Sequence, residues 1–358
     1  MLLKQKMESL ESYLLILQEK NNSMTTPPFV SIIVLTFNSE IYIERCLRSL
    51  VRQSFGHFEA LIVDAGSKDR THEIVEQFDQ RFLWLELPGS DMGAARNYGM
   101  KMSRGSYLMF LDSDDFYLRD KIKMQLAILE AQPDVDVAYC AAWHFRTGSP
   151  NRVGLKQLSA QPVTLEDYLA GRNHNLNTMC MRRRVWEAGF AFGEGARGRY
   201  GEEWRLQLAM AQQGVPMTSQ MEPLVVAEIR PDSHTAWSIQ WTMKEQAIAE
   251  VERVSTLMTP AQRSAVDVME IIDNFRYKLV IALLIDGQKS EAVKVAAMIR
   301  GGNLSSKAQR LATITQWIPR QLLGYMLRHL WLWKQNRSFD WQTASVALRE
   351  EFEAVQRA

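Results

Sequence analysis

At 358 residues, 46% hydrophobic and 23% charged, with a formal net charge of +1, the chain is long enough for more than one domain and too nearly neutral for a general nucleic-acid binder. Cys46, Cys140 and Cys180 are its three cysteines and are widely spaced with no CxxC, so reduced thiols are expected in place of a disulfide frame or a zinc site. No apolar run reaches membrane-spanning length, and Glu8, Glu11 and Glu19 interrupt any signal-peptide core, which together point to a cytoplasmic protein.

Residues 1–22 predict a helix with Leu3, Met7, Leu10, Leu14 and Leu17 at heptad spacing. Such a face suits docking on the body of the protein or pairing with a second copy as a homodimer. Thr25-Thr26-Pro27-Pro28 ends it. Val30 to Leu35 then reads as a buried strand, followed by a helix over 40–52 with Ile43, Leu47, Leu50 and Val51 on one face. Strands are expected at 60–63, 83–87 and 107–111, with helices over 70–79, 92–103 and 119–131, and another strand at 135–142. Strands alternating with helices imply right-handed crossovers and a mainly parallel, Rossmann-like sheet. Residues 143–200, rich in Gly, Asn and Arg, read as loops and short strands over a site. A helix at 202–213 and a strand at 225–229 follow. Beyond about residue 240 helices are expected over 243–258, 260–285, 288–300 and 305–335. The division is therefore a helical extension over 1–26, an α/β domain over 27–240 and a helical C-terminal domain over 241–358.

Three strand ends carry the chemistry. The first exits into Thr36-Phe37-Asn38, the second into Asp64-Ala65-Gly66-Ser67-Lys68-Asp69, and the fourth, an apolar run from Tyr107 to Leu111, into Asp112-Ser113-Asp114-Asp115. A parallel sheet gathers all three at its carboxyl edge, where open α/β sheets bind ligands. Three crowded carboxylates repel one another and invite a hard divalent cation. No glycine-rich phosphate loop is present, so a metal bridging carboxylates to a diphosphate is the natural substitute. Gly93-Ala94-Ala95-Arg96-Asn97 adds a guanidinium suited to phosphate or carboxylate.

These segments, in this order and extended by Tyr98-Gly99, resemble family-2 glycosyltransferases of the GT-A fold over roughly residues 29–235. The resemblance implies metal-dependent, inverting sugar transfer from a nucleotide-sugar donor, a UDP-sugar being favoured, to a glycan, lipid-linked or protein acceptor in cell-surface polysaccharide or other glycan assembly. It places Thr36, Asn38 and Glu40 in the donor loop and Asp64 at the nucleobase, with Ala65 where a second acid is common. It makes Asp112, Ser113, Asp114 and Asp115 the DxD-type motif, with Asp114 at the ribose and metal, Asp115 on a Mg2+ or Mn2+ ion, and Arg96 toward the donor. Glu202-Glu203-Trp204 matches the helix start that carries the catalytic base, Glu203 by alignment, although aspartate is usual there. His234, in the loop after the last strand, matches a residue that reaches metal or diphosphate. His174 and Asn175 are candidates for the acceptor side. Ala65 and the Glu-for-Asp change leave one alternative, a degenerate glycosyltransferase used as a binding or scaffold subunit.

The C-terminal region adds one pattern. From residue 292 to 339 there is no acid, while Lys294, Arg300, Lys307, Arg310, Arg320, Arg328, Lys334 and Arg337 alternate with Trp317, Tyr325, Trp331 and Trp333. Such a segment, 294–337, suits either peripheral contact with an anionic membrane or packing on the α/β domain.

Overall fold

The computed structural model describes residues 29–156, 164–172, 174–195, 201–230, 240–300, 302–319, 321–323, 325–327 and 339–357. The expected helical prefix and His234 lie outside the described residues.

In chain order the α/β part runs β1 (Val30–Thr36), α1 (Ile43–Val51), β2 (Phe58–Asp64), α2 (Thr71–Val75), β3 (Phe82–Glu86), α3 (Met92–Met102), β4 (Tyr107–Asp112), β5 (Phe116–Tyr117), α4 (Lys121–Ala131), β6 (Val137–Arg146), β7 (Ser149–Lys156), α5 (Leu165–Leu169), a 3-10 turn at Leu176–Thr178, β8 (Cys180–Arg182), α6 (Arg183–Glu187), α7 (Glu202–Gln212) and β9 (Met217–Ile229). The C-terminal part follows as α8 (Gln240–Leu257), α9 (Pro260–Ala265), α10 (Val268–Asp286), α11 (Lys289–Ala297), α12 (Gly302–Ile314), β10 (Phe339–Thr343) and α13 (Val346–Arg357).

Among the described residues the strands form one ten-stranded mixed sheet. Its β3-β2-β1-β4 half is parallel throughout. Beyond β4 the pairing turns antiparallel at β8, β6 and β7, with β9 lying parallel to β6. The parallel half is the part that alternation predicted, because each of its strands is buried on both faces. Val30, Ile32 and Val34 point into one core with Ile43, Leu47 and Leu50 of α1. Ile33 points into the opposite core with Ala95 and Met100 of α3. Period-2 side-chain alternation thus feeds two helical layers, and both faces must be apolar. Gly99 lets α3 lie close: a Cβ there would stand 2.6 Å from Ile33 and 3.2 Å from Val63.

Two differences from the expected elements bear on the site. Strand β9 spans thirteen residues, far beyond the expected 225–229. It carries Glu228 to the carboxylate cluster, as described below. The chain after the C-terminal helices returns to the sheet, with β10 pairing antiparallel to β7 from Phe339–Lys156 to Thr343–Arg152. Between these ends, α8 and α10 pack on the α/β part. Ala247, Val251, Val254, Ile271, Ile272 and Phe275 share a core with Tyr168, Leu169, Trp204 and Leu208. Helix α7, which begins at Glu202, is therefore held between the sheet and the helical layer.

Candidate active site

The carboxyl edge of the parallel half brings the expected residues together. Thr36 and Asp64 are direct register partners at the ends of β1 and β2. Leu35 pairs with Asp112 at the end of β4. The loops beyond β1 and β2 are laced to each other. Asn38, the one described non-glycine residue in the left-handed region (φ 48°), accepts from the Lys68 N–H at 2.8 Å, and its own N–H donates to Ser67 Oγ at 2.8 Å. The Glu40 N–H donates to Asp69 at 3.0 Å, and the Glu40 carboxylate accepts from the Arg70 N–H. The tolerance of Asn for positive φ is what lets the chain turn here.

Asp64 is buried and bonded within its own loop. Its carboxylate accepts from the Gly66 and Ser67 N–H groups at 3.0 and 2.8 Å and from the Ser67 hydroxyl. A carboxylate offers about four acceptor sites, so three are filled within its own loop. The Thr36 hydroxyl beside it is buried without a partner among the described residues.

The carboxylate cluster divides by role. Asp112 is partly exposed, with Oδ1 accepting from Arg96 Nη2 at 3.0 Å. Asp114 is ion-paired with Arg230 at 3.1 Å, and Arg45 donates to its backbone carbonyl. Asp115, expected as the leading metal ligand, faces inward: it is 6% exposed. One of its oxygens accepts from the Glu228 N–H at 2.9 Å and the other from the Asn177 amide at 2.5 Å. Burial, with Asp112 adding to it, pushes the Asp114 carboxyl up to about 6. Burial and then Asp114 push Asp115 well above the carboxylate range. That repulsion is the kind a cation relieves. Among the described residues no three His, Cys, Asp or Glu side chains form a ready-made metal cage. Ser113 hydrogen-bonds the Ser39 hydroxyl at 2.9 Å, tying the cluster to the first loop.

Arg96 joins this cluster to the acidic helix start. Its guanidinium is 4% exposed and bonds Asp112 on one side and Glu202 on the other, with its charge 5.4 Å from the centre of the Phe192 ring. Burial alone would lower its proton affinity; Asp112, Glu202 and Glu203 together reverse that and raise it. Gly201, at φ 68°, turns the chain into α7. Glu202 is thus fixed by Arg96, while Glu203 is partly exposed and accepts a hydrogen bond from the Leu176 backbone. Burial first, and the neighbouring Glu202 second, push the Glu203 carboxyl up to about 7, against the pull of Arg96. A carboxylate tuned toward neutrality at a cleft is suited to accepting a proton.

Two residues went unnoticed in the sequence. Asn177, fully buried, holds Asp115 through its amide and accepts from the Asp112 N–H at 3.1 Å. Glu228 pairs with Arg45 at 2.8 Å. A lone Asn in an irregular stretch and a Glu late in a strand give no local signal. The acceptor-side candidates take other places. His174 is 3% exposed, stacked on Tyr139 at 4.0 Å and 3.2 Å from the Tyr168 hydroxyl. Asn175 caps the 3-10 turn through the Asn177 N–H. His174 is a core histidine, because two aromatic rings and the Gln207 amide already enclose it.

Known proteins resemble this chain in sequence and in fold. Residues 31–197 match the family model described as Glycosyl transferase family 2. A putative teichuronic acid biosynthesis glycosyltransferase of Bacillus subtilis, TuaG, is 38% identical over 107 residues, 28% of this chain and 42% of that protein. The matched stretch spans well under half the length of the curated relatives. Among solved structures, S. aureus TarS 1–349 in complex with UDP-GlcNAc is similar with a TM-score of 0.55 at 20% identity, covering 80% of this chain and 87% of that one. The mannosyltransferase PcManGT from Pyrobaculum calidifontis, in complex with GDP-Man and Mn2+, gives 0.53 at 14% identity, covering 92% and 95%. At those identities the likeness is one of fold, and the fold is GT-A.

Proposed function

We propose, from the match of residues 31–197 to the glycosyl transferase family 2 model, that the chain is an inverting glycosyltransferase acting on a nucleotide-sugar donor in polysaccharide or other glycan assembly. One observation carries the reading: a single buried guanidinium, Arg96, spans the strand-end Asp112 and the helix-start Glu202, beside a Glu203 carboxyl raised to about 7. Donor carboxylates and a poised base thus share one electrostatic unit.

Glu203 takes the proton of an acceptor hydroxyl. The freed oxygen pair attacks the anomeric carbon, the new C–O bond forms, and the bond from that carbon to the diphosphate oxygen breaks on the opposite face. The sugar transfers with inversion and the nucleoside diphosphate leaves. Glu202, held by Arg96, positions the helix start and raises the basicity of Glu203. The free Thr36 hydroxyl, the Asn38 and Glu40 loop and the last acceptor site of Asp64 face the nucleoside, a UDP-sugar being the donor favoured. A divalent cation, Mg2+ or Mn2+, would supply positive charge to the leaving diphosphate. Asp114 would hold it, ahead of the inward Asp115.

The test is a screen of UDP-, GDP- and dTDP-sugars with Mn2+ by thermal shift, followed by acceptor-dependent release of nucleoside diphosphate and NMR of the product anomer. Ligand bound only to the folded state raises its melting point. Absence of any donor binding or release would favour a degenerate binding subunit.

The site of action is proposed as the inner face of a membrane. Among the described residues no helix is long and apolar enough to cross a bilayer. Trp317 is 89% exposed, and Leu322, Tyr325 and Met326 are also exposed, within the acid-free basic interval. An interfacial surface pairs aromatic and aliphatic side chains with lysine and arginine in this way.

A further inference from the structure

The 3-10 turn at Leu176–Thr178 serves both halves of the site with successive residues. The Leu176 backbone N–H donates to Glu203. The Asn177 amide holds Asp115 at 2.5 Å and accepts from the Asp112 N–H at 3.1 Å. Neighbouring residues of a 3-10 turn point about 120° apart, so one turn reaches the start of α7 on one side and the end of β4 on the other. It cannot shift to suit one contact without disturbing the other.

The turn has a few bonds of its own. The Thr178 and Met179 N–H groups donate to the Asn175 and Leu176 carbonyls, and the Thr178 hydroxyl donates to the Asn175 carbonyl at 2.6 Å. These bonds fix its shape, whereas its place depends on what surrounds it. The Thr178 carbonyl, at the end of the turn, accepts from Gln125 Nε2 at 2.7 Å. The Cys140 thiol is a weaker second donor at 3.6 Å. Gln125 belongs to α4 and is fully buried. The same amide nitrogen donates to the Ala138 carbonyl of β6 at 3.0 Å. One planar amide therefore pins the turn to α4 and to the sheet.

The acceptor of that amide is met as well. Lys121, one helical turn earlier and also fully buried, donates to Gln125 Oε1 at 2.5 Å. Its ammonium is 3.8 Å from the Met109 sulfur and 4.1 Å from the centre of the Tyr117 ring. Burial lowers its proton affinity, as expected of a charge kept out of water at a cost. Apolar side chains would fill this space more cheaply. What they would not supply is a directed bond to the turn, and a satisfied buried network fixes one arrangement.

We propose that Gln125 is a positioning residue for sugar transfer: through the Thr178 carbonyl it fixes the one turn whose successive residues hold the base and the carboxylate cluster, and so sets the separation of the two. The inference rests on the glycosyltransferase reading and deepens it. Gln125 lies beneath the site and acts only through the turn. A misplacement of about 1 Å between reacting groups costs about a hundredfold in rate, so a looser turn should show in kcat before it shows in binding.

The experiment compares three full-length proteins: the unmodified chain, Lys121→Met, and Gln125→Met with Lys121→Met. The double variant exchanges both partners of the buried pair for apolar side chains, which is nearly neutral for stability, so its urea midpoint should match that of the unmodified protein. Lys121→Met alone keeps both amide donors. Donor turnover, read as release of nucleoside diphosphate, should keep its kcat in Lys121→Met and lose about tenfold or more in the double variant, with donor KM changed less than about threefold. Hydrogen exchange by mass spectrometry should show residues 175–180 exchanging about tenfold faster in the double variant than in Lys121→Met, with α4 unchanged. A role in core packing alone would move the urea midpoint and neither of these. A folded double variant with the kcat and exchange of the unmodified protein overturns the proposal. Should that variant not fold, the unmodified protein decides. Its 175–180 segment should be as protected as α4, because the turn cannot open while the Gln125 bond stands, and exchange about a hundredfold faster there than in α4 overturns the proposal. The two readings fail differently. Intact turnover in the double variant sinks the role of Gln125 and leaves the enzyme. Faster exchange of the turn in a protein that binds no nucleotide sugar sinks the transferase and leaves the Gln125 anchor.

Discussion

Replacing Glu203 with glutamine should stabilise the fold while stopping transfer. The wild-type carboxyl is pushed up from 4.5 to about 7, by burial and then by Glu202. A group whose folded pKa exceeds its unfolded value binds more protons in the folded state across that interval. Wild-type stability therefore falls as pH rises from about 4.5 through 7, and the loss is complete above it. At about 1.4 kcal/mol per pH unit the whole interval is worth ~3 kcal/mol. Glu203 opens to the cleft, where water screens its charge, so ~1–3 kcal/mol is the expected range. The amide keeps the shape of the side chain and can still accept from the Leu176 backbone. Urea unfolding of both proteins should show Glu203→Gln more stable by ~1–3 kcal/mol at pH 8.5, with the gap shrinking below ~1 kcal/mol at pH 5. Transfer should fall by about a hundredfold or more with donor binding intact. A gap of the same size at both pH values, or a less stable variant at pH 8.5, would refute the electrostatic argument. Near-normal transfer would refute the role as base.

In the wild-type enzyme kcat/KM should rise with pH to a plateau with a midpoint of about 7, read from initial rates between pH 5.5 and 9, because the base must be ionised. Arg96→Met strands buried Glu202 without its partner and should cost ~3–5 kcal/mol in chemical denaturation; Arg96→Met with Glu202→Gln should recover most of it. Asn177→Ala removes the amide that holds Asp115, so ~1–3 kcal/mol of stability should go, together with donor affinity in a thermal-shift titration. Co-sedimentation should find the protein on anionic vesicles at low salt and free at high salt, with Trp317→Ala and Tyr325→Ala weakening the association.

The parallel half of the sheet was legible because local pattern and tertiary role coincide there. A strand buried on both faces must be largely apolar, and Val30–Leu35, Ser31 apart, and Tyr107–Leu111 are. Long-range pairing leaves a weaker trace. The first half of β9, Met217 to Glu222, is partly exposed and mixed in character, and its pairing depends on β6, far earlier in the chain. Strand β10 follows a helical region and gains its partner, β7, nearly two hundred residues upstream. The site divides the same way. Charges at a strand end or early in a helix stand out in the sequence, so Asp112, Arg96 and Glu203 were named as candidates, and the structure brings them into one cluster. The amide that orders them was not, because Asn177 matters through two contacts sixty-odd residues away. His174 misled for the converse reason: a polar residue in an irregular stretch looks exposed, and here aromatic stacking buries it.

The raised proton affinity of Glu203 belongs to a helix start set between the sheet and the helical layer. Burial is its largest cause, and the helix that carries Glu203 is covered on its Trp204–Leu208 face by α8 and α10, through Val251, Val254, Ile272 and Phe275. Sheet and loops alone would leave the start of α7 open to water, and a solvated carboxylate beside Arg96 would ionise at acidic pH. In the proposed reaction the helical layer would contribute by excluding solvent, while Glu202 of α7, Arg96 of α3 and Asp112 of β4 supply the neighbouring charges. It also explains how glutamate can stand where aspartate is usual. A longer side chain is acceptable only if its carboxyl is brought back to the same place. The left-handed turn at Gly201, the Leu176 backbone donor and the packed helical wall together restrain it there. In the proposed reaction, the setting of Glu203 therefore depends on two layers of the fold. A substitution of Val251 or Val254, in the core that α8 shares with α7, should then shift the pH midpoint of activity downward before it abolishes folding.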